Sequence, residues 1–220
     1  MEAEKRNELA KAAMKLAIHG DVLGMDALLD KRADAVNLAE EENGNVPLHV
    51  AASKGNFALV RLLLKRGAKI DIQDIFGNAA LHYACDKAQK DVVAYLLREG
   101  ADKDLNDNRG NSPLHHAAAA DSMVVVNILL KAGAIPDSVD FTGKRPEEKT
   151  RLPAVKAIIE NTVKARKDGG ESQGKESVNW MGFGIGLGVG IGLAMAQQQQ
   201  AVLDEKIALI KARQREDDMA

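Results

Sequence analysis

The chain has 220 residues, of which 45% are apolar and 28% charged, with 30 basic and 32 acidic side chains. A formal net charge of -2 and an aromatic content of 3% exclude an extended nucleic-acid surface, since such surfaces need clustered cations and stacking rings. The single cysteine, Cys85, excludes an internal disulfide and is typical of a reducing compartment.

The first predicted unit covers residues 5–31. Apolar residues recur at helical spacing on both sides of a Gly20-Asp21 turn, at Leu9, Ala13, Leu16 and Ala17 before it and at Leu28 and Leu29 after it. Charged residues fill the remaining positions, as in a capping unit of a repeat protein. No apolar run follows the first charged residues, so we predict no secretory signal and expect a cytoplasmic protein.

A 33-residue period organises the middle of the chain. One motif recurs as Val46-Pro47-Leu48-His49, Ala79-Ala80-Leu81-His82 and Ser112-Pro113-Leu114-His115. A Gly-Asn pair precedes each motif, and an apolar run ending in Gly-Ala follows it at Gly67, Gly100 and Gly133. This self-similarity predicts stacked helix–turn–helix units, because one unit alone cannot bury its apolar face.

Each element of the period has a mechanical reason. Proline is tolerated in the first helical turn, where its missing N–H costs nothing. The glycine after each apolar run suits a left-handed C-cap, and the Gly-Asn pair suits a turn that needs positive φ. Small pairs such as Ala51-Ala52, Ala84-Cys85 and Ala117-Ala118 allow two helices to approach closely.

The motif resembles the ankyrin repeat, whose T-P-L-H signature is matched three times although its threonine is absent and Ala80 replaces one proline. The resemblance covers about residues 5–163. It implies an all-α ankyrin solenoid of about five units in residues 1–163. The regular repeats are expected at about 43–75, 76–108 and 109–141, with capping units at both ends and a degenerate first helix in the last unit.

Ankyrin domains bind protein partners through their turn tips and the concave face of their first helices, and the resemblance implies the same use here. The corresponding positions are Ile75, Phe76, Asn78, Asn108, Arg109, Asn111, Phe141, Thr142 and Lys144 on the tips, and Ser53, Lys54, Asp86, Lys87, Ala119 and Ala120 on the first helices. Phe76 and Phe141 are either exposed binding residues or fold back onto the neighbouring unit.

The residues that could suggest catalysis have simpler interpretations. His49, His82 and His115 lie one per repeat, too far apart for one zinc ion, and each is expected to tie its helix start to the neighbouring turn. Cys85 is expected to be a buried, inert thiol. No phosphate loop, serine elbow or HExxH pattern occurs, so we predict no enzymatic activity, no cofactor and no metal.

The C-terminal quarter has a different composition. Residues 164–178 are charged and lack an apolar period, which predicts a linker. Glycine alternates with apolar residues in 179–196, and a Gln-rich stretch and an amphipathic helix are predicted in 197–220. As a helix, the segment groups Gly184, Gly188 and Gly192 on one face; as a strand, it has one face of glycine alone. The pattern does not choose between them.

Two functional hypotheses differ in what the C-terminal tail, residues 179–220, contacts. Burial in a larger protein complex makes the chain an adaptor or structural subunit that docks through Trp180, Gly184, Gly188, Gly192, Leu203, Ile207 and Ile210. The alternative is a tail-inserted membrane protein with membrane contact through residues 180–196, whose ankyrin repeats face the cytosol. In both hypotheses the partners of the repeats are one or more proteins and not nucleic acid.

Overall fold

The computed structural model describes residues 2–168, and this part of the chain contains helices and turns but no strand. Its α-helices are α1 (Glu2–His19), α2 (Val22–Lys31), α3 (Pro47–Ser53), α4 (Phe57–Lys65), α5 (Ala80–Asp86), α6 (Lys90–Arg98), α7 (Pro113–Ala119), α8 (Met123–Lys131) and α9 (Pro153–Asp168). Two 3-10 segments cover Ala33–Asn37 and Pro146–Glu148. The predicted all-α solenoid is confirmed.

The helices stack in two layers. The first helices form one layer, in which α1, α3, α5 and α7 pack in sequence and α7 contacts the 3-10 segment Pro146–Glu148. The second helices α2, α4, α6, α8 and α9 form the other. Each unit therefore contacts its chain neighbours, as stacked repeats require.

Helix starts and ends follow the repeated motif. Pro47 and Pro113 occupy the first helical positions of α3 and α7, and α5 begins at the equivalent Ala80. Gly67, Gly100 and Gly133 have φ of +87°, +93° and +87° after the second helices, which confirms their left-handed C-caps.

The core lies between the two layers. Leu48, Leu81 and Leu114 of the first helices and Leu63, Leu96 and Leu129 of the second helices are fully buried in one cluster with the small pairs. Truncating one such leucine to alanine costs about 3 kcal/mol. Arg66 extends the packing into the N-terminal unit, because its guanidinium pairs with Asp26 and with Asp30 at 2.7 Å.

The ends of the solenoid are less regular, as expected. A 3-10 turn, Pro146–Glu148, takes the place of a first helix in the last unit. The predicted linker boundary at residue 164 is wrong, since α9 continues through Asp168. Its last turn carries Arg166 and Lys167, and cations stabilise a helix C-terminus. The predicted tail-docking residues, from Trp180 to Ile210, lie outside the described residues.

Candidate protein-binding site

A buried aspartate builds each of three tip turns, at residues 74–78, 107–111 and 140–144. Asp74 Oδ1 accepts the backbone N–H groups of Phe76 and Asn78, both at 2.8 Å. Asp107 does the same for Arg109 and Asn111, and Asp140 for Thr142 and Lys144. Most of the predicted tip residues are thus fixed by a carboxylate that lies beneath them.

The second carboxylate oxygen of each aspartate binds the residue nine positions later. Tyr83 Oη donates to Asp74 Oδ2 at 2.5 Å, His116 Nε2 to Asp107 Oδ2 at 3.2 Å, and Lys149 Nζ to Asp140 Oδ2 at 2.5 Å. One position therefore accepts a phenol, an imidazole and an ammonium group. Lys149 and Thr142 hold the pKa of Asp140 far below its ordinary value; burial raises that of Tyr83, and the nearby Asp74 reinforces the shift.

His49, His82 and His115, the histidine row, join each helix start to the next turn. Nδ1 of these rings accepts the backbone N–H of Val46, Ala79 and Ser112 at 3.3, 3.1 and 3.1 Å. Because Nδ1 accepts, the proton is on Nε2, which donates to the carbonyls of Ile72, Leu105 and Lys144. The predicted tying role is confirmed.

The same geometry keeps these rings neutral. Each ring is about 1% exposed, and burial lowers the pKa of all three. The pKa of His82 falls to about 4, through burial and then through His116, whose ring centroid is 5.2 Å away. A proton on Nδ1 would also remove the acceptor of the Ala79 N–H.

Apolar side chains at the tips face solvent. Ile75 and Phe76 are each 55% exposed and Phe141 is 79% exposed. Of the two interpretations of the phenylalanines, the structure favours exposure over folding back. Asn108, Arg109 and Lys144 are also exposed, whereas Asn78 and Asn111 are half-buried.

Neighbouring tips contact each other through their backbones. Ile75 N donates to Asn43 O at 3.2 Å, Asn108 N to Phe76 O at 2.9 Å, and Phe141 N to Arg109 O at 3.0 Å. The turn glycines have positive φ, as predicted, and also make room for the next tip. A Cβ at Gly77 would lie 2.6 Å from Asn108 N, and one at Gly110 would lie 2.7 Å from Phe141 Cδ1.

The predicted first-helix residues lie away from the tips. Ser53 and Asp86 end α3 and α5, and Lys54 and Lys87 follow as C-cap residues. The tip turns precede the same helices, so each seven-residue helix separates the two groups by about 10 Å at 1.5 Å per residue. Lys54, Asp86, Lys87 and Ala119 are exposed, while Ser53 and Ala120 are half-buried.

A cleft of about 140 Å³ lies beside α3. It is lined by Asn45, His49, Val50, Ser53, Lys54 and Tyr83. Tyr83 is a site residue that the sequence prediction missed, as are Asp74 and His116. The aspartates could have been found, because Asp74, Asp107 and Asp140 keep the 33-residue step. Their partners could not, because Tyr83, His116 and Lys149 share a position but no chemistry.

The remaining reactive groups of the described residues are buried or dispersed. Cys85 is fully buried, which confirms its predicted burial, and burial strongly raises the pKa of its thiol. Within residues 2–168 no three metal-ligating side chains gather into a group that could hold an ion. The same residues contain no helix with the length and apolar character needed to cross a bilayer.

The sequence matches a known protein family. The family described as Ankyrin repeats (3 copies) matches the chain over residues 2–74 and 48–140. The matched residues include α1 to α8, the histidine row and the tip turns at 74–78 and 107–111.

Proposed function

Because the chain belongs to the ankyrin-repeat family, a family of protein–protein interaction modules that are in general non-catalytic, we propose that it is an adaptor or structural subunit. Its repeats hold one protein and its tail docks into another. The observation that carries the proposal is the exposure of the aromatic side chains of Phe76 and Phe141, and of Ile75 beside Phe76, on the tip turns. An exposed aromatic residue on a rigid turn suits a binding hot spot.

The contact surface of the repeats includes the tips and the cleft beside α3. Phe76 and Phe141 contribute apolar area, and Arg109, Asn108 and Lys144 contribute polar groups around them. Asp74, Asp107 and Asp140 fix the tip backbones through paired hydrogen bonds, so little conformational entropy is lost on binding. Ser53, Lys54, Asp86 and Lys87 extend the surface to the far end of the first helices.

Quantitative affinity purification tests the use of the tips. The bait is the full chain, compared with Phe76→Ser/Phe141→Ser and with a control, Leu23→Ser/Val124→Ser, which removes two exposed apolar residues of α2 and α8. We expect a set of proteins to be lost from the tip variant and kept by the control. Equal recovery on all three baits would contradict binding through the tips.

Docking of the tail is supported by the sequence of residues 179–196. Alternating glycine gives a helix small grooves on two faces, which suits close packing against other helices. We expect residues 178–220 to bind a protein that differs from the partner of residues 1–163. Cross-linking mass spectrometry on native material tests this, because cross-links from both regions to a single shared site would contradict two separate docking functions.

Membrane insertion of the tail is the alternative, since residues 180–196 carry an apolar side chain at nearly every second position behind Trp180. Carbonate-resistant pelleting of the full chain with membranes, lost on deletion of residues 180–196, would favour it. Extraction of the full chain by carbonate would instead favour docking into a protein complex.

A further inference from the structure

The two C-terminal tip turns form one exposed group, the basic tip patch, which consists of Arg109, Phe141, Lys144 and Arg145. The Phe141 N–H donates to Arg109 O at 3.0 Å, which joins the turns. One edge of the Phe141 ring lies over Gly110, where a Cβ would be 2.7 Å from Cδ1. The ring is thus positioned by its neighbour while most of it remains open to solvent.

The cations of the patch have few acidic partners among residues 2–168. No ion pair of Arg109 or Lys144 occurs in this part of the chain, and Arg145 is 3.7 Å from Glu147 Oε1. The buried Asp107 and Asp140 are engaged by backbone N–H groups, and the exposed Glu148 accepts the Arg145 N–H at 2.7 Å. Three cations therefore lie on or next to the two turns that hold the exposed aromatic ring of Phe141.

The opposite end of the tips carries the opposite charge. Glu40, Glu41 and Glu42 occupy the first tip, where Glu41 accepts a hydrogen bond from Asn7. Ile75 and Phe76 lie between the two ends and are uncharged. The exposed surface thus changes from acidic through apolar to basic along the stack, although the whole chain has a net charge of only -2.

The contact between neighbouring tips stops at Gly143 within the described residues. At Gly44, Gly77 and Gly110 an added Cβ would meet the next tip at 3.0 Å or less, but at Gly143 it would meet no atom within 4 Å among the described residues other than Gly143 and its two chain neighbours. Gly143 is exposed between Phe141 and Lys144. A segment of another protein therefore has access to the turn backbone and the ring together.

We propose that the basic tip patch binds an acidic protein segment that carries an apolar side chain, an inference that rests on the proposed function. The apolar side chain packs on Phe141, and the carboxylates pair with Arg109, Lys144 and Arg145. Glu40, Glu41 and Glu42 repel the acidic end of the segment and fix its direction. Three cations and the acidic first tip suit a short protein segment better than nucleic acid or an anionic membrane.

The test selects peptides from a random 12-residue library on the immobilised full chain and measures the enriched peptides by fluorescence anisotropy. We expect peptides of net negative charge with at least one aliphatic or aromatic residue. Arg109→Glu/Lys144→Glu should weaken them at least about tenfold, and exchanging their acids for lysine should restore binding to that variant. Lys131→Glu/Lys164→Glu is the control, since both lysines are exposed and the charge change is equal.

Three other results would overturn the proposal, and they can be distinguished from one another. Enriched peptides that are neutral or basic, or that bind the charge-reversed variant as well as the unaltered chain, would leave the repeats as a binding module without an acidic partner. A library that yields no binder would overturn this proposal, while recovery of partners through the tips in affinity purification would still support the proposed function. A labelled single-stranded oligonucleotide or anionic vesicles could bind through Arg109 and Lys144 while no acidic peptide binds. That result would identify nucleic acid or membrane, and not a protein segment, as the ligand of the patch.

Discussion

The histidine row and the tip turns belong to the same units, yet the residues differ in how they repeat. His49, His82 and His115 are identical because each buried ring has one backbone donor and one backbone acceptor to satisfy. The tip position in the same units is Ile75, Asn108 and then Phe141, whose side chains contact little besides the neighbouring turn. Buried polar contacts thus fix a residue type, whereas exposed positions are free to serve a partner.

The largest expected effect comes from removing one ring of the histidine row. His82→Ala leaves the Ala79 N–H and the Leu105 carbonyl without their partner and opens a cavity, which should lower the free energy of unfolding by about 3 kcal/mol. Lys87→Ala, at an exposed position of the same unit, should change it by less than about 0.5 kcal/mol. Urea denaturation measures both changes, and similar losses of stability in the two variants would contradict the structural role of His82.

Acid should weaken the same row. The pKa of His82 is about 4 in the folded chain and about 6.5 when unfolded, so the unfolded state binds more protons between these values. Its stabilising contribution is complete above pH 6.5 and is lost as the pH falls towards 4.

Between pH 7 and pH 5, His82 alone should account for a loss of about 2 kcal/mol in the free energy of unfolding. His82→Gln, which does not titrate, should show a loss smaller by that amount. Urea denaturation at the two pH values measures the difference. An equal pH dependence of the variant and the unaltered chain would contradict a neutral, buried His82.

The aspartate beneath a tip should have a smaller effect. Asp140→Ala removes the acceptor of the Thr142 and Lys144 N–H groups and should cost about 1–2 kcal/mol. Faster amide exchange at these two residues should accompany the loss. Asp137→Ala, at an exposed aspartate, is the control, and equal costs would contradict the structural role of Asp140.

The smallest effect on stability is expected at a position whose backbone conformation is the same in three units but whose residue type differs. Ala88 and Asp121 have φ of +52° and +53°, at the position that Gly55 occupies in the preceding unit with φ of +69°. Ala88→Gly should raise the free energy of unfolding by about 0.5 kcal/mol. The left-handed strain of Ala88 that it removes exceeds the extra backbone entropy that glycine loses on folding. Asp121→Gly should lower it instead, by about 1 kcal/mol, since Asp121 Oδ1 accepts from Thr150 and Arg151. Thermal unfolding distinguishes the two signs.

The sequence predicts the buried part of this fold well, because the requirements of that part are local. The positive φ of Gly67, Gly100 and Gly133 and the burial of Cys85 follow from their places in the 33-residue period. The contact between Asp74 and Tyr83 was not predicted. It joins residues nine positions apart, and no secondary-structure propensity specifies such a pair. The extension of α9 to Asp168 was missed because a charged stretch without apolar period resembles a linker.

At the tips, the sequence predicts positions but not surroundings. It places Phe76 and Phe141 on turns, yet their exposure depends on what the next unit offers. Phe141 ends the last regular repeat, so no further tip covers it within the described residues, and Gly110 of the preceding turn lies beneath its ring. The exposure of these side chains therefore depends on packing between units, and the sequence of a single repeat does not specify that packing.

Site-specific photo-cross-linking tests the central claim that the tips are the binding surface. A benzophenone amino acid is placed at position 76, at position 141 and, as a control, at position 124, which is also exposed but lies on α8. We predict that positions 76 and 141 each cross-link to a partner protein in cell extract and that position 124 does not. Cross-linking from position 124 alone would contradict the account.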